Sequence, residues 1–139
     1  MSDGSPEQAP PLLGLDFLYM PSDDVARDVE YFTGVLGARL EFAIEAFGTR
    51  VAMVRLTDDP PALLFAGHLG GERPVLVYRV ESLEAAMSAL EARGWEPEPV
   101  LGIPHGPMCA FRTAGGHRIA IYELTRPGAA EHLAGRRDF

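Results

Sequence analysis

Residues 24–37 read DVARDVEYFTGVLG, and residues 82–94 read SLEAAMSALEARG. In the first stretch Val25, Val29 and Phe32 are spaced by four and then three, which places them on one face of a helix. Leu83, Met87 and Leu90 repeat that spacing in the second. Each stretch opens on a helix-capping side chain, Asp23 or Asp24 and then Ser82. Each ends at a glycine, Gly37 and Gly94, suited to the left-handed conformation that terminates a helix. Two helices of the same design therefore stand about sixty residues apart, the signature of an internal duplication.

The duplication extends on both sides of the helices. Residues 15–20 (LDFLYM) and 75–80 (VLVYRV) are short runs of apolar, β-branched and aromatic residues, each read as a strand leading into its helix. Downstream, Phe47-Gly48 aligns with His105-Gly106 at a strand-connecting turn, Arg55 aligns with Arg112, and Leu63-Leu64-Phe65 aligns with Ala120-Ile121-Tyr122 in a final strand. Each half is thus strand, helix and three strands. The expected boundaries are a flexible tail at 1–11, a first βαβββ module at 12–69, a second at 73–126, and a C-terminal tail at 127–139 that forms a short helix or frays.

Composition narrows the class. The 139-residue chain is 47% hydrophobic, enough for one domain with a sizeable core. Its 20 acidic and 12 basic residues leave a net charge of −8, which opposes a nucleic-acid phosphate backbone. A single cysteine, Cys109, excludes an intrachain disulfide and CxxC chemistry. No apolar run has the length of a membrane span and no secretory leader pattern opens the chain, so a cytoplasmic location is expected, with neither nucleic acid nor membrane as partner. Gly70-Gly71 and Gly115-Gly116 lack the residues of a phosphate-binding loop.

The ordered βαβββ duplication, with Tyr31-Phe32-Thr33-Gly34-Val35-Leu36-Gly37 closing the first helix and residues 115–124 (GGHRIAIYEL) closing the second module, resembles the vicinal-oxygen-chelate superfamily of glyoxalases, bleomycin-resistance proteins and dioxygenases. The aromatic pair is reversed relative to the family's pattern, and Thr113-Ala114 stand where an Asp-Pro is usual. The resemblance implies an α+β fold in which the curved mixed sheets of two tandem modules form a cleft able to hold a divalent metal. It puts the four ligand positions at Phe17, Leu63, Val75 and Ala120. None carries a donor atom, so no metal and no other cofactor is expected. A slip of one residue would bring Asp16 to the cleft in place of Phe17.

In that register Leu15, Phe17, Tyr19, Leu63, Phe65, Val75, Val77, Arg79, Arg118, Ala120 and Tyr122 face the cleft. Phe17, Tyr19, Phe65 and Tyr122 offer stacking surface, with Arg79, Arg118 and the tyrosine hydroxyls orienting a ligand. His105, in a glycine- and proline-flanked turn, joins the ligand-binding set and pairs with Tyr122 as the candidate catalytic group. The other histidines, His68, His117 and His132, form no local metal-binding spacing, and Trp95 is read as packing. The resemblance implies a metal-independent, homodimeric binding protein that sequesters an aromatic compound or antibiotic. Its alternative is a glyoxalase-like lyase, isomerase or dioxygenase with a metal-free or rearranged site.

Overall fold

A computed structural model of the chain describes residues 12–46 and 48–139. The N-terminal tail and Phe47 lie outside the described residues. The first module runs β1 (Leu12–Pro21), α1 (Val25–Gly34), β2 (Arg39–Ala46), β3 (Thr49–Arg55) and β4 (Ala62–Ala66). The second runs β5 (Val75–Val80), α2 (Leu83–Glu91), β6 (Val100–Ile103), β7 (Gly106–Arg112) and β8 (Arg118–Glu123), followed by α3 (Ala129–Leu133). All eight strands form one curled mixed sheet in the order β2-β3-β4-β1-β5-β8-β7-β6. Within each module the first strand pairs in parallel with the last, and the modules join where β1 runs antiparallel to β5.

The capping chemistry behaves as the sequence implies. Asp24 accepts from the Arg27 amide at 3.0 Å and Ser82 from the Ala85 amide at 3.2 Å. Gly37 and Gly94 take φ of 75° and 97° just beyond the two helices. Val25, Val29 and Phe32 pack from α1 onto Ala43, Ala52, Val54 and Phe65, forming one core. Leu83, Ala86, Met87 and Leu90 pack from α2 onto Val80, Cys109 and Ile121, forming another. Each large side chain so buried contributes roughly 1.5–3 kcal/mol relative to exposure. Trp95 packs edge-on against Phe111 in the second core, and Cys109 is a buried core residue. Both helices thus cover the same side of the sheet's strands, leaving the other side concave and open.

The C-terminal segment returns to the sheet. Beyond α3, the Gly135 amide donates to the Glu41 carbonyl at 2.8 Å, Ala43 to Arg136 at 2.8 Å, and Asp138 to Ala43 at 2.6 Å. This parallel bridge covers the outer edge of β2, and Phe139 reaches the α1-side core. The opposite edge, β6, carries Val100 and Leu101 exposed. Among the described residues, no helix is long and apolar enough to cross a membrane.

Candidate functional site

Strand register defines what the concave face presents. One transverse row runs Phe42, Met53, Leu64, Tyr19, Val75, Arg118 and Arg112, each paired with the next on the neighbouring strand. The adjacent row runs Ala62, Phe17, Val77, Ala120 and Ala110. A third places Arg79 beside Tyr122 and Tyr122 beside Met108. The first-module half of the face is therefore apolar, whereas the second-module half has a floor of small side chains with arginines at one end.

Two adjoining cavities follow from these rows. The first, about 410 Å³, is lined mainly by apolar side chains including Phe17, Phe42, Met53, Leu64 and Val77, with Leu133 of α3 as part of its wall. The second, about 640 Å³, lies over Ala110 and Ala120 and includes Arg112 and Arg118. Tyr19, His68, Ile103 and Met108 line both. His68 bridges the junction: its Nε2 lies 3.3 Å from the Tyr19 hydroxyl and its Nδ1 3.4 Å from Thr49 Oγ1. A smaller cavity of about 270 Å³ continues past Phe17 and His105 toward Tyr122.

Several expected site residues come together here. Phe17 lies 5.7 Å from the His105 ring and 5.9 Å from the Tyr122 ring, centroid to centroid, and Tyr19 packs edge-on to His68. Phe65 does not belong to this group. Its ring sits 4.8 Å from Phe32 in the core under α1, and Leu63 packs on the same side. The cleft-facing residue of β4 is Leu64, so the alignment of the two last strands is displaced by one: Phe65 matches Ile121 and Leu64 matches Ala120. Leu15 also leaves the cleft, because it pairs with Tyr78, which packs on the α2 side.

The cause on β1 is a bulge. Between the pairs Leu15–Tyr78 and Phe17–Val77, Asp16 is the extra residue. Its carboxylate, largely buried, accepts a 2.5 Å hydrogen bond from the Tyr122 hydroxyl and lies 3.9 Å from Arg79 Nε. Burial first, then the bond to Asp16 and its charge, push the Tyr122 hydroxyl far above the usual tyrosine range. That hydroxyl is thus committed to Asp16, and Arg79 faces the same carboxylate. Arg118 is also engaged, with Nη1 donating to the Gly70 and Arg73 carbonyls at 2.7 and 2.9 Å. A lone aspartate in an otherwise apolar strand is the one sequence signal that points to Asp16. Nothing local marks His68 or Leu133, which distant pairing brings to the cleft.

The backbone around His105 is tied to the segment after β8 by hydrogen bonds. Its carbonyl accepts from the Thr125 and Arg126 amides, both at 3.0 Å. The Arg126 guanidinium donates to the Pro104 and Ile103 carbonyls at 2.8 and 2.6 Å. Burial lowers the imidazole pKa, the Arg126 charge lowers it further, and Asp16 opposes them. The ring is therefore a neutral base at neutral pH, next to Phe17 and Tyr122 but with no hydrogen bond joining it to Tyr122.

The donor set does not fit the metal that the fold family implies. Phe17, Leu64, Val75 and Ala120 have no lone-pair donors. Among the described residues, no group of three or more His, Cys, Asp or Glu is disposed to hold a metal ion.

No protein-family model and no curated protein sequence matches the chain. Solved structures do. A methylmalonyl-CoA epimerase from Mycobacterium tuberculosis superposes with a TM-score of 0.70 at 20% identity, covering 86% of this chain and 93% of that one. A hypothetical protein from Bacillus halodurans gives 0.68 at 16% identity, covering 81% and 95%. A methylmalonyl-CoA epimerase in complex with methylmalonyl-CoA and an ammonium ion gives 0.61 at 15%, covering 82% and 96%. Methylmalonyl-CoA epimerases are vicinal-oxygen-chelate proteins, and this chain, with its paired βαβββ modules and single curled sheet, has the vicinal-oxygen-chelate fold.

Proposed function

We propose that the protein binds a small, largely apolar molecule in the concave cleft without a metal. One observation carries this reading: the side chains at the family's metal positions are apolar, and Phe17 and Leu64 among them line, with their neighbours, a cavity of about 410 Å³, within the range of small-molecule sites. Phe17 and Tyr19 offer ring surface there, so a flat aromatic body suits it, and sequestration of such a compound is the activity this supports. Calorimetric titration with biphenylmethanol tests it. Phe17→Ala is expected to weaken binding by roughly 1–3 kcal/mol, and Leu64→Trp, which fills the cavity, to abolish it. Unchanged affinity in both folded variants would overturn the reading. The protein is further proposed to be a homodimer, which light scattering at micromolar concentration checks.

A second reading, isomerase-type proton transfer, is favoured by the clamped, neutral His105 beside the cleft and by the methylmalonyl-CoA epimerases among the structural neighbours. His105 would take a carbon-bound proton and Asp16–Tyr122 would fix the polarity of the floor. The test is incorporation of solvent deuterium at the α-carbon of methylmalonyl-CoA, measured by mass spectrometry. Exchange that disappears in His105→Gln supports it; no exchange in the wild type removes it.

A further inference from the structure

We infer that the second-module half of the cleft is an anion subsite, in which Arg112 and Arg118 take the carboxylate or phosphate end of a ligand whose apolar body lies over the first module. This rests on the reading of the cleft as a binding site and specifies the ligand's other end.

The first observation is a cost without a local return. Arg112 and Arg118 stand directly opposite each other on antiparallel β7 and β8. Like charges in that position destabilise a sheet. The chain has only 12 basic residues against 20 acidic ones, so two arginines need not face each other for want of carboxylates. Of its other arginines, Arg39, Arg50, Arg55 and Arg136 lie within ion-pair distance of Asp or Glu. Among the described residues, neither Arg112 nor Arg118 has a carboxylate at that distance.

The second observation is preorganisation. Through Nη1 Arg118 is bonded to two carbonyls of the β4–β5 connection, which holds its guanidinium in place while Nε and Nη2 keep their donor capacity. A guanidinium fixed in this way loses little freedom when it binds a carboxylate or phosphate. Beside it, Ala110 and Ala120 leave room at the floor of the 640 Å³ cavity.

The third is continuity. Leu64, Tyr19, Val75 and Arg118 are successive members of one transverse row. At about 4.8 Å per strand the path from Leu64 to Arg118 is about 14 Å, the length of a two-ring compound with a terminal anion. The net charge of −8 disfavours anions in general, so a small inorganic ion without an apolar body has little reason to bind.

The test is titration of the intact protein with four matched probes: biphenylmethanol, biphenylcarboxylate, biphenyl phosphate and biphenylmethylammonium. At least one anion is expected to bind about tenfold more tightly than the alcohol, and the ammonium more weakly than the alcohol. The tighter of the two anions identifies the headgroup. Arg112→Gln, a change at an exposed position, is expected to bring the anions to within about twofold of the alcohol while leaving alcohol binding unaltered. Raising sodium chloride should weaken the anions only. If the alcohol binds and neither anion binds more tightly, or if Arg112→Gln retains the preference, the subsite is wrong and the cleft reading stands. If the alcohol itself fails to bind, the cleft reading falls and takes the subsite with it.

Discussion

The turn between β2 and β3 in the first module and the turn between β6 and β7 in the second occupy equivalent places in the duplication, yet they are built for different ends. Gly48 in the first has φ +76, and a Cβ added there meets nothing within 4 Å. Gly106 in the second has φ +153, and a Cβ would lie 2.0 Å from the Glu123 carbonyl oxygen. Around Gly106 the chain is also clamped by Arg126 and by the two amides bonded to the His105 carbonyl. Duplication supplied two copies of one backbone plan, and the second copy's turn, held by these bonds, carries a titratable ring beside the cleft.

The sharpest way to break this comparison is to put alanine at both glycines. Gly106→Ala is expected to cost about 3 kcal/mol or more, because strain and a backbone collision act together. Gly48→Ala should cost only about 1 kcal/mol, the penalty of a positive φ in open space. Urea unfolding of the two variants reads the difference. Equal losses would mean that the second turn is no more constrained than the first.

The same contrast explains what was legible in the sequence. Element order, both helix caps and the buried helix faces follow from local rules, and the pattern doubled around residues 24–37 and 82–94 makes the fold readable. The face of β4 was not readable. Ala62, Leu63, Leu64, Phe65 and Ala66 are apolar throughout, so period-two alternation has nothing to act on and the register slips by one. Asp16 was assigned away from the site because regular alternation cannot anticipate a bulge. Arg118 was expected to orient a ligand, but the structure first assigns one of its nitrogens to the chain's own carbonyls.

That slip yields a second, smaller contrast, between adjacent leucines. Leu63 packs into the α1-side core and Leu64 against the cleft-side cluster. Leu63→Ala is expected to lower stability by about 2 kcal/mol and leave biphenylmethanol affinity unchanged. Leu64→Ala should lose less stability, since its site already opens onto a cavity, and should weaken the probe. Calorimetry and urea unfolding on the same two variants decide this. The reverse pattern would restore the register in which Leu63 lines the cleft.

The smallest expected effect is a pH dependence confined to the second turn, where His105 has a titratable ring and its counterpart in the sequence is Phe47. Burial and the Arg126 charge hold the His105 pKa below its ordinary value of 6.5, with Asp16 acting against them. The folded protein therefore binds the imidazole proton less readily than the unfolded chain does. Between the folded pKa and 6.5 the unfolded state carries more protons, so stability rises with pH across that window. The contribution is fully present above 6.5 and is lost as pH falls through 6.5 toward the folded pKa. In His105→Gln that loss should vanish, leaving a shallower decline on acidification than in the wild type, while the two proteins' profiles run parallel above neutrality. Thermal unfolding from about pH 8 to about pH 5 measures the gap between them. A gap that stays constant over the whole range would show that the turn holds His105 without perturbing its proton affinity. A wild type that gains on His105→Gln as the pH falls would mean that Asp16, not burial, governs the ring.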